Sequence, residues 1–589
     1  MQSHFTNRGK LGGVRRRSDF SCVSLAAPAG ILLLLSIASA ALAAGPRVDI
    51  VIGEKAPALE RRAAEDVATD LKKVYEADVK IVTAAPEGAE YVIFVGSPET
   101  NEPTKKLIAE NWPTLAKQDH VLRTIKHHGK SALFVGGGSP VAAYWAASEY
   151  AHSLGIRSLL YADLYPVAPK PFTLGGYDML LKCRPGESAW PEIDPFPTGY
   201  TSWGLNDQKQ RLRQLARLKQ NTVLLGIHCW QPFVDFEIDG IKKQTGVLWY
   251  GWQFPVSGDT AGRAPFKGAK LFENPDFAGK ATYEERLDAG KDWLSGFIKE
   301  ANSLGLAVDV QTSPMEFPKE FAPILAGSAP TSEPGDLAVR SLEKRAKGLT
   351  AHERLHSGAY KTIFPGIHAM WLNDGSGDDF WLYGSLLFDH NYSAYESSRN
   401  RFGAGLEQES ACKELVTPIC GDGVDGSVFK AELQIDDVNR ITVKNDKQFN
   451  RPSPDMILKH YSNFDPPPEW WSQVRANYLG AMNDLYRANS RAREGGRSYT
   501  LYLARRCEFG YEYMNCVEAT RKAGIAKSKK DTAEQRAQLE KAVESMNAAC
   551  SALAAVARDQ SDRGMIAVCN EFGYKALQKE MEKLDAEEK

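Results

Sequence analysis

From residue 46 the chain alternates short β-branched runs with stretches of helical period. Residues 48–52, 79–83 and 91–96 are apolar runs of strand length. Residues 57–77 place Leu59, Ala63, Val67, Leu71 and Val74 at helical spacing, and 104–111 also predicts a helix. Residues 121–126 and 131–136 predict a hairpin turned by His128-Gly129-Lys130. Ser139-Pro140 predicts a helix start with proline at its first position, and Gly155 its stop. A strand over 156–161 completes a small α/β domain, helices packed on a mixed sheet. Gly136-Gly137-Gly138 lacks dinucleotide or Walker spacing and reads as a tight turn.

The pattern then changes. Pro191, Pro195 and Pro197 make 190–198 a linker. An amphipathic helix over 207–220 leads into a continuous apolar run at 222–228, which suits a buried parallel strand. Residues 235–277, rich in Gly, Pro and aromatics, predict an elaborated loop. A helix over 284–304, closed by Gly305, feeds a second buried strand at 306–310. Helix, glycine and strand, twice, is the repeat of a (β/α)8 TIM barrel, whose active residues cluster where strands end. A full barrel takes about 250 residues and eight strands. Here 336–348 is a charged helical piece and 367–372 the next clear strand, so the barrel is degenerate or its other strands are polar.

Pro466-Pro467-Pro468 opens a helical tail over 469–492, 499–523, 532–559 and 562–587. Its third segment carries Leu539, Val543, Met546, Ala549, Leu553 and Val556 as a core stripe and opens on a Thr532-x-x-Gln535 capping box. Short connections predict an antiparallel bundle that braces the barrel or makes a homodimer contact. The layout is a leader over 1–44, an α/β accessory domain over 45–185, a barrel-like domain over 190–405, a connection over 406–465 and a helical bundle over 466–589.

The leader has a basic start (Arg8, Lys10, Arg15-Arg16-Arg17), an apolar stretch over 26–41 and small residues at Ala41-Leu42-Ala43. That is the order of a cleaved secretion signal, and it predicts a secreted or periplasmic protein. An uncleaved anchor is the competing reading, for which the apolar stretch is short of roughly 20 residues. The arginine run also suggests twin-arginine export, although Asp19 departs from that motif. No second segment is long enough to span a bilayer, and a net charge of −2 gives no field for nucleic acid. Eight cysteines remain past Cys22, without CxxC or zinc spacing; Cys550 or Cys569 pairs with Cys507 or Cys516, or all stay buried thiols. No cofactor or metal is expected: Gly421-Asp422-Gly423-Val424-Asp425-Gly426 lacks the bidentate Glu of a calcium loop and reads as a turn.

The segments Ala58-Leu59-Glu60-Arg61-Arg62-Ala63-Ala64-Glu65-Asp66-Val67 and Tyr91-Val92-Ile93-Phe94-Val95-Gly96-Ser97 resemble the accessory domain before the barrel in α-glucuronidases and β-hexosaminidases. Leu154-Gly155-Ile156-Arg157 is similar to the end of that domain, and Trp381-Leu382-Tyr383 with Asn400-Arg401-Phe402-Gly403 to a barrel exit. The resemblance implies a glycoside hydrolase relative, without assigning a family or sugar. Such enzymes use two carboxyl groups, about 5–5.5 Å apart when retaining and about 6.5–9.5 Å when inverting. Just past strand ends stand Glu316, as general acid, and Asp374, as base or nucleophile. A helix-start charge and an Asn-Asp-Gly turn are their plain alternatives. His228, Asp309, Asp378 and Asp379 are candidate sugar-binding polar residues. Trp230, Trp252 and Trp371, with Trp203 and Trp249, are candidate stacking platforms, against a core role for each. The alternative functions are a non-catalytic carbohydrate-binding protein and a cell-surface scaffold with a degenerate barrel.

Overall fold

The structure, a computed structural model, describes residues 45–108, 112–183, 189–192, 197–238, 240–248, 253–256, 258–312, 316–321, 328–330, 339–341, 367–372, 395, 399, 407–446, 449 and 453–587. It combines a small α/β layer, a barrel-like parallel unit and a helical C-terminal region. From Pro46 onward the chain is one unit.

The α/β layer holds β1 (Arg47–Val51), α1 (Ala58–Tyr75), β2 (Asp78–Val82), β3 (Tyr91–Val95), α2 (Glu102–Ile108), β4 (His120–His127), β5 (Lys130–Gly137) and α3 (Pro140–Ser153). Two short strands, β6 (Arg157–Ser158) and β7 (Asp163–Leu164), pair with each other, and β8 (Asp178–Leu181) joins the main sheet. That sheet runs β2-β1-β3-β5-β4-β8, parallel except along both edges of β4. The β4–β5 hairpin turns at His128 and Gly129, both at positive φ. Ser139 caps α3, its hydroxyl accepting from the Ala142 N–H, with Pro140 next. Gly137 packs on α3: a Cβ there would lie 2.4 Å from that of Ala142, so close packing accounts for the glycine.

The strand predicted over 156–161 is only the two residues of β6. Arg157 is the reason: its buried guanidinium donates to the carbonyls of His152, Ile156 and Glu414, tying the chain into a turn. The predicted linker also departs from expectation. Ala189–Glu192 is a strand, β9, pairing parallel with β10 (Thr222–Gly226). Proline is tolerated on a sheet edge, and Pro191 masked the strand. The order β19-β15-β10-β9 completes this parallel sheet, with β15 at Ala307–Thr312 and β19 at Ile367–Leu372. Helices α4 (Leu205–Arg217) and α5 (Tyr283–Ser303) precede β10 and β15, and Val223, Leu225, Ile227, Val308 and Val310 are fully buried in the main core. Thr282 caps α5 through a capping box with Glu285.

Between β10 and α5 lie four short strands in two antiparallel pairs, β11 (Glu237–Ile238) with β12 (Ile241–Lys242) and β13 (Gln253–Pro255) with β14 (Leu271–Glu273). After β15 come β16 (Glu316–Phe317), β17 (Ser328–Pro330) and β18 (Val339–Ser341), a small antiparallel sheet ordered β16-β18-β17. The helical piece expected at 336–348 is thus a strand where the structure describes it. Its charges misled the pattern, because a short strand in a three-stranded sheet need not alternate.

The stretch 406–465 carries α6 (Gln408–Cys420), α7 (Asp425–Asn445) and the one-turn α8 (Leu458–Tyr461). The bundle continues with α9 (Glu469–Arg491), α10 (Glu494–Ser528), α11 (Thr532–Ala554), α12 (Gln560–Cys569) and α13 (Lys575–Glu587). A π-helical stretch, Asn570–Tyr574, joins the last two, so the segment predicted as one helix is interrupted. The cap of α11 is Asp531, accepting from the Glu534 N–H, one residue before the predicted Thr532. Gln535 turns inward instead and donates to the Tyr461 hydroxyl at 2.7 Å. Of the predicted stripe, Leu539, Met546, Ala549 and Leu553 are buried, and Val543 and Val556 are half-buried against the same core. None of the eight described cysteines is in a disulfide, and Cys569 hydrogen-bonds Cys550.

Candidate functional site at the ends of the parallel strands

Parallel pairing sets which side chains share a face. Thr222 opposes Ala307, Leu224 opposes Asp309, and Gly226 opposes Gln311. Asp309 in turn pairs with Ala369, and Gln311 with Trp371. Val223, Leu225, Val308 and Val310 face the helices and are fully buried. The opposite face therefore presents Asp309 in one row and Gln311 in the next row toward the C-terminal ends. The Ile227 N–H donates to the Gln311 carbonyl at 2.8 Å, extending the ladder one residue past β10. Ile227 points to the core, which leaves His228 on the same face as Asp309 and Gln311.

His228 is held by the turn that follows it. Its N–H donates to Gln231 Oε1 at 3.0 Å, and Gln231 Nε2 donates to the Leu248 carbonyl at 3.1 Å. Gln231 N–H returns to the His228 carbonyl, and Val247 N–H to that of Trp230. The His228 and Trp230 rings lie 3.9 Å apart, tilted by 51°. Trp230 is only 4% exposed, so its indole buttresses the imidazole.

Beneath the same loop lies Lys243, with no exposed surface. Its Nζ donates to the carbonyls of Gln231 at 2.5 Å and Val234 at 2.6 Å. Burial drives its pKa from 10.5 down to about 7, opposed by Cys229, Asp235 and Glu320 and assisted by Lys291. Glu320 clamps the outer part of the loop, accepting from the N–H groups of Gln244 and Thr245 and from the Thr245 hydroxyl. Pro232 rests directly on α5, where Gly290 leaves room: a Cβ there would come within 2.3 Å of the Pro232 carbonyl oxygen. The loop behind His228 is therefore fixed to its neighbours at several points.

The sequence candidates fall into three groups. His228 and Asp309 share one face at the strand ends, and Trp371 is the backbone register partner of Gln311 on β19. Asp309 is 3% exposed. Glu316 begins β16 opposite Arg340, in the small antiparallel sheet beyond the end of β15. Asp374, Asp378, Asp379, Trp249 and Trp252 lie outside the described residues. Trp203 is buried against the bundle, donating from Nε1 to the Ser561 hydroxyl at 2.9 Å. Sequence reasoning missed Gln311, Gln231 and Lys243. Gln311 carried a usable signal, a polar residue directly after a buried Val-Asp-Val run. The other two sit in a loop whose partners are set by tertiary contact.

Among the described residues, no group of three or more His, Cys, Asp or Glu is placed to hold a metal ion, and no helix is long and apolar enough to cross a membrane. No family model matches the chain, and no curated protein does. Solved structures it is similar to include glycoside hydrolases. One is a GH115 4-O-methyl-α-glucuronidase with specificity for decorated arabinogalactans, at 12% identity and a TM-score of 0.45, covering 89% of this chain and 79% of that one. Another is a GH138 enzyme targeting pectin rhamnogalacturonan II, at 10% identity and 0.44, covering 92% and 99%. A third is a GH20 β-N-acetylhexosaminidase from Streptomyces coelicolor A3(2), at 11% identity and 0.32, covering 60% of each chain.

Proposed function

We propose that the protein is an exported, carbohydrate-active glycoside hydrolase relative that cleaves an oligosaccharide or polysaccharide with a carboxylate pair. The observation that carries this reading is the shared face of His228, Asp309 and Gln311 at the C-terminal ends of parallel strands, backed by a firmly tied loop. That is where a (β/α) sheet places its chemistry. Glu316 would protonate the leaving oxygen and Asp374 would act as base or nucleophile, with His228, Asp309, Asp378 and Asp379 on sugar hydroxyls and Trp230, Trp252 and Trp371 shaping the site. The five-part layout from leader to bundle, and secretion or delivery to a periplasm after loss of residues 1–44, belong to the same proposal.

Glu316→Gln and Asp374→Asn, assayed on aryl-glycosides and on plant and algal polysaccharides, test it. Loss of sugar release with binding retained in calorimetry supports catalysis by this pair. Release at the wild-type rate in both variants removes the assignment. Binding without release by the wild-type chain would leave a carbohydrate-binding protein, and no binding at all a scaffold.

A further inference from the structure

We infer that the hollow between α1 and α4 is a second binding site, and that it takes a neutral polyhydroxylated ligand, a sugar ring. The inference goes beyond the reading above, because it concerns another part of the molecule and involves no catalysis. The hollow holds about 220 Å³ and is lined by side chains of α1, of α4 and of the stretch from Tyr161 to Tyr165 around β7. Arg217 ends α4 and β10 begins at Thr222, so the hollow lies toward the opposite ends of the parallel strands from His228.

The floor of the hollow is a buried guanidinium shared by three carboxylates. Arg217 donates to Asp66 at 3.3 Å and to Asp70 at 2.9 Å and pairs with Asp163 at 3.2 Å; the side chains of Arg217, Asp66 and Asp70 are each 4% exposed. Arg213 pairs with Asp66, and Lys73 stands at the mouth, 4.8 Å over the Tyr165 ring. The lining thus carries three carboxylates and three cations, and a ligand with a net charge of either sign would meet as much repulsion as attraction. What the hollow leaves open is hydrogen bonding. Asp70 accepts from Arg217 and, at 3.3 Å, from the Tyr165 hydroxyl, whereas a carboxylate offers about four acceptor sites. Burial pushes its pKa up against the pull of Arg217, the mark of a carboxylate short of donors. Arg213, its side chain 42% exposed, and the amide of Gln210 bring donors to the same space. Acceptors and donors side by side suit hydroxyls, which do both, and Tyr161 and Tyr165 give a carbon skeleton an apolar wall.

Thr69 on α1 and Gln210 on α4 are exposed at the mouth, so a tryptophan at either closes it and leaves the floor intact. The test titrates the full chain, Thr69→Trp and Gln210→Trp by calorimetry with methyl glycosides of glucose, galactose, mannose and xylose, and with glucuronic acid and glucosamine as charged probes. The wild type should bind at least one neutral glycoside about tenfold more tightly than either charged probe, and both variants should weaken that binding by about tenfold or more. At saturation that glycoside should also slow acetylation of Lys73, with Lys72 as reference, by about threefold or more in the wild type, a readout that needs no variant to fold. Unchanged acetylation of Lys73 overturns the inference, as does binding by both variants within about twofold of wild type. So does a charged probe bound as tightly as any neutral one, or a wild type that binds none of the probes. The strand-end reading is scored separately, by aryl-glycoside cleavage, which both variants should perform at the wild-type rate.

Discussion

Three titratable side chains carry the predictions at the scale of single residues. Lys243 is neutral in the fold above about pH 7, whereas in the unfolded chain it stays protonated to its ordinary 10.5. Unfolding therefore takes up a proton across that window, and stability should rise with pH through it. Urea melts at pH 6, 7.5 and 9 should show the wild type gaining on Lys243→Met as pH climbs; a constant gap would mean a solvated amine. Glu149 is the opposite case. Its carboxyl, 1% exposed, lies 2.5 Å from Lys219 and 2.9 Å from Arg399. Burial pushes its pKa up, but Lys219, His152 and Arg399 together hold it well below the usual range. Glu149→Gln leaves two buried cations poorly paired and should cost about 3–5 kcal/mol in the same melts. The neighbouring Glu414 accepts from His152 and Tyr395 and lies 2.7 Å from Arg399, which outweigh burial and hold its pKa at about 2. Its contribution is full above pH 4.5 and lost as pH falls toward 2, so Glu414→Gln should flatten the acid limb of a pH–stability curve.

At the scale of elements, the decisive contact is the loop after β10 on α5. Gly290→Ala forces a methyl against the Pro232 carbonyl and should destabilise by about 1–3 kcal/mol. Because the same loop holds His228, that variant should also weaken glycoside binding in calorimetry, whereas an alanine on the exposed side of α5 should not. What was legible in the sequence follows the same logic. Helices with local start signals, such as the one capped by Ser139, and strands buried on both faces, such as β10 and β15, announce themselves within a few residues. β9 did not, because Pro191 reads as a linker until a neighbouring strand supplies its edge. β18 is three residues long and takes its meaning from β16 and β17. At the site, His228 and Asp309 were legible from their places near strand ends, but the row joining them to Gln311 depends on register, which no single segment encodes.

Over the whole molecule, the bundle and the barrel-like unit are joined by specific contacts. Trp203 donates to Ser561, Gln560 to the carbonyls of Ser202 and Glu273, and the Ala261 N–H to Asn570. A Cβ on Gly564 would lie 1.8 Å from the Pro197 carbonyl oxygen, so the first turns of α12 sit directly on the chain leading into the barrel-like unit. One buried cluster runs from Val48 to Leu584. Urea unfolding followed by tryptophan fluorescence and by far-UV circular dichroism should therefore give coincident transitions, and separated midpoints would show that the bundle melts alone. The thiols offer a finer clock. Cys516, Cys550 and Cys569 are buried in the bundle, Cys229 is buried in the loop that begins at His228, and among the described cysteines Cys183 alone is half-exposed. Burial pushes the Cys516 thiol up to about 12, so the native chain presents an unreactive sulfur there. A maleimide reagent should thus modify Cys183 first, and the delay before each later adduct should time how often that part of the molecule breathes open.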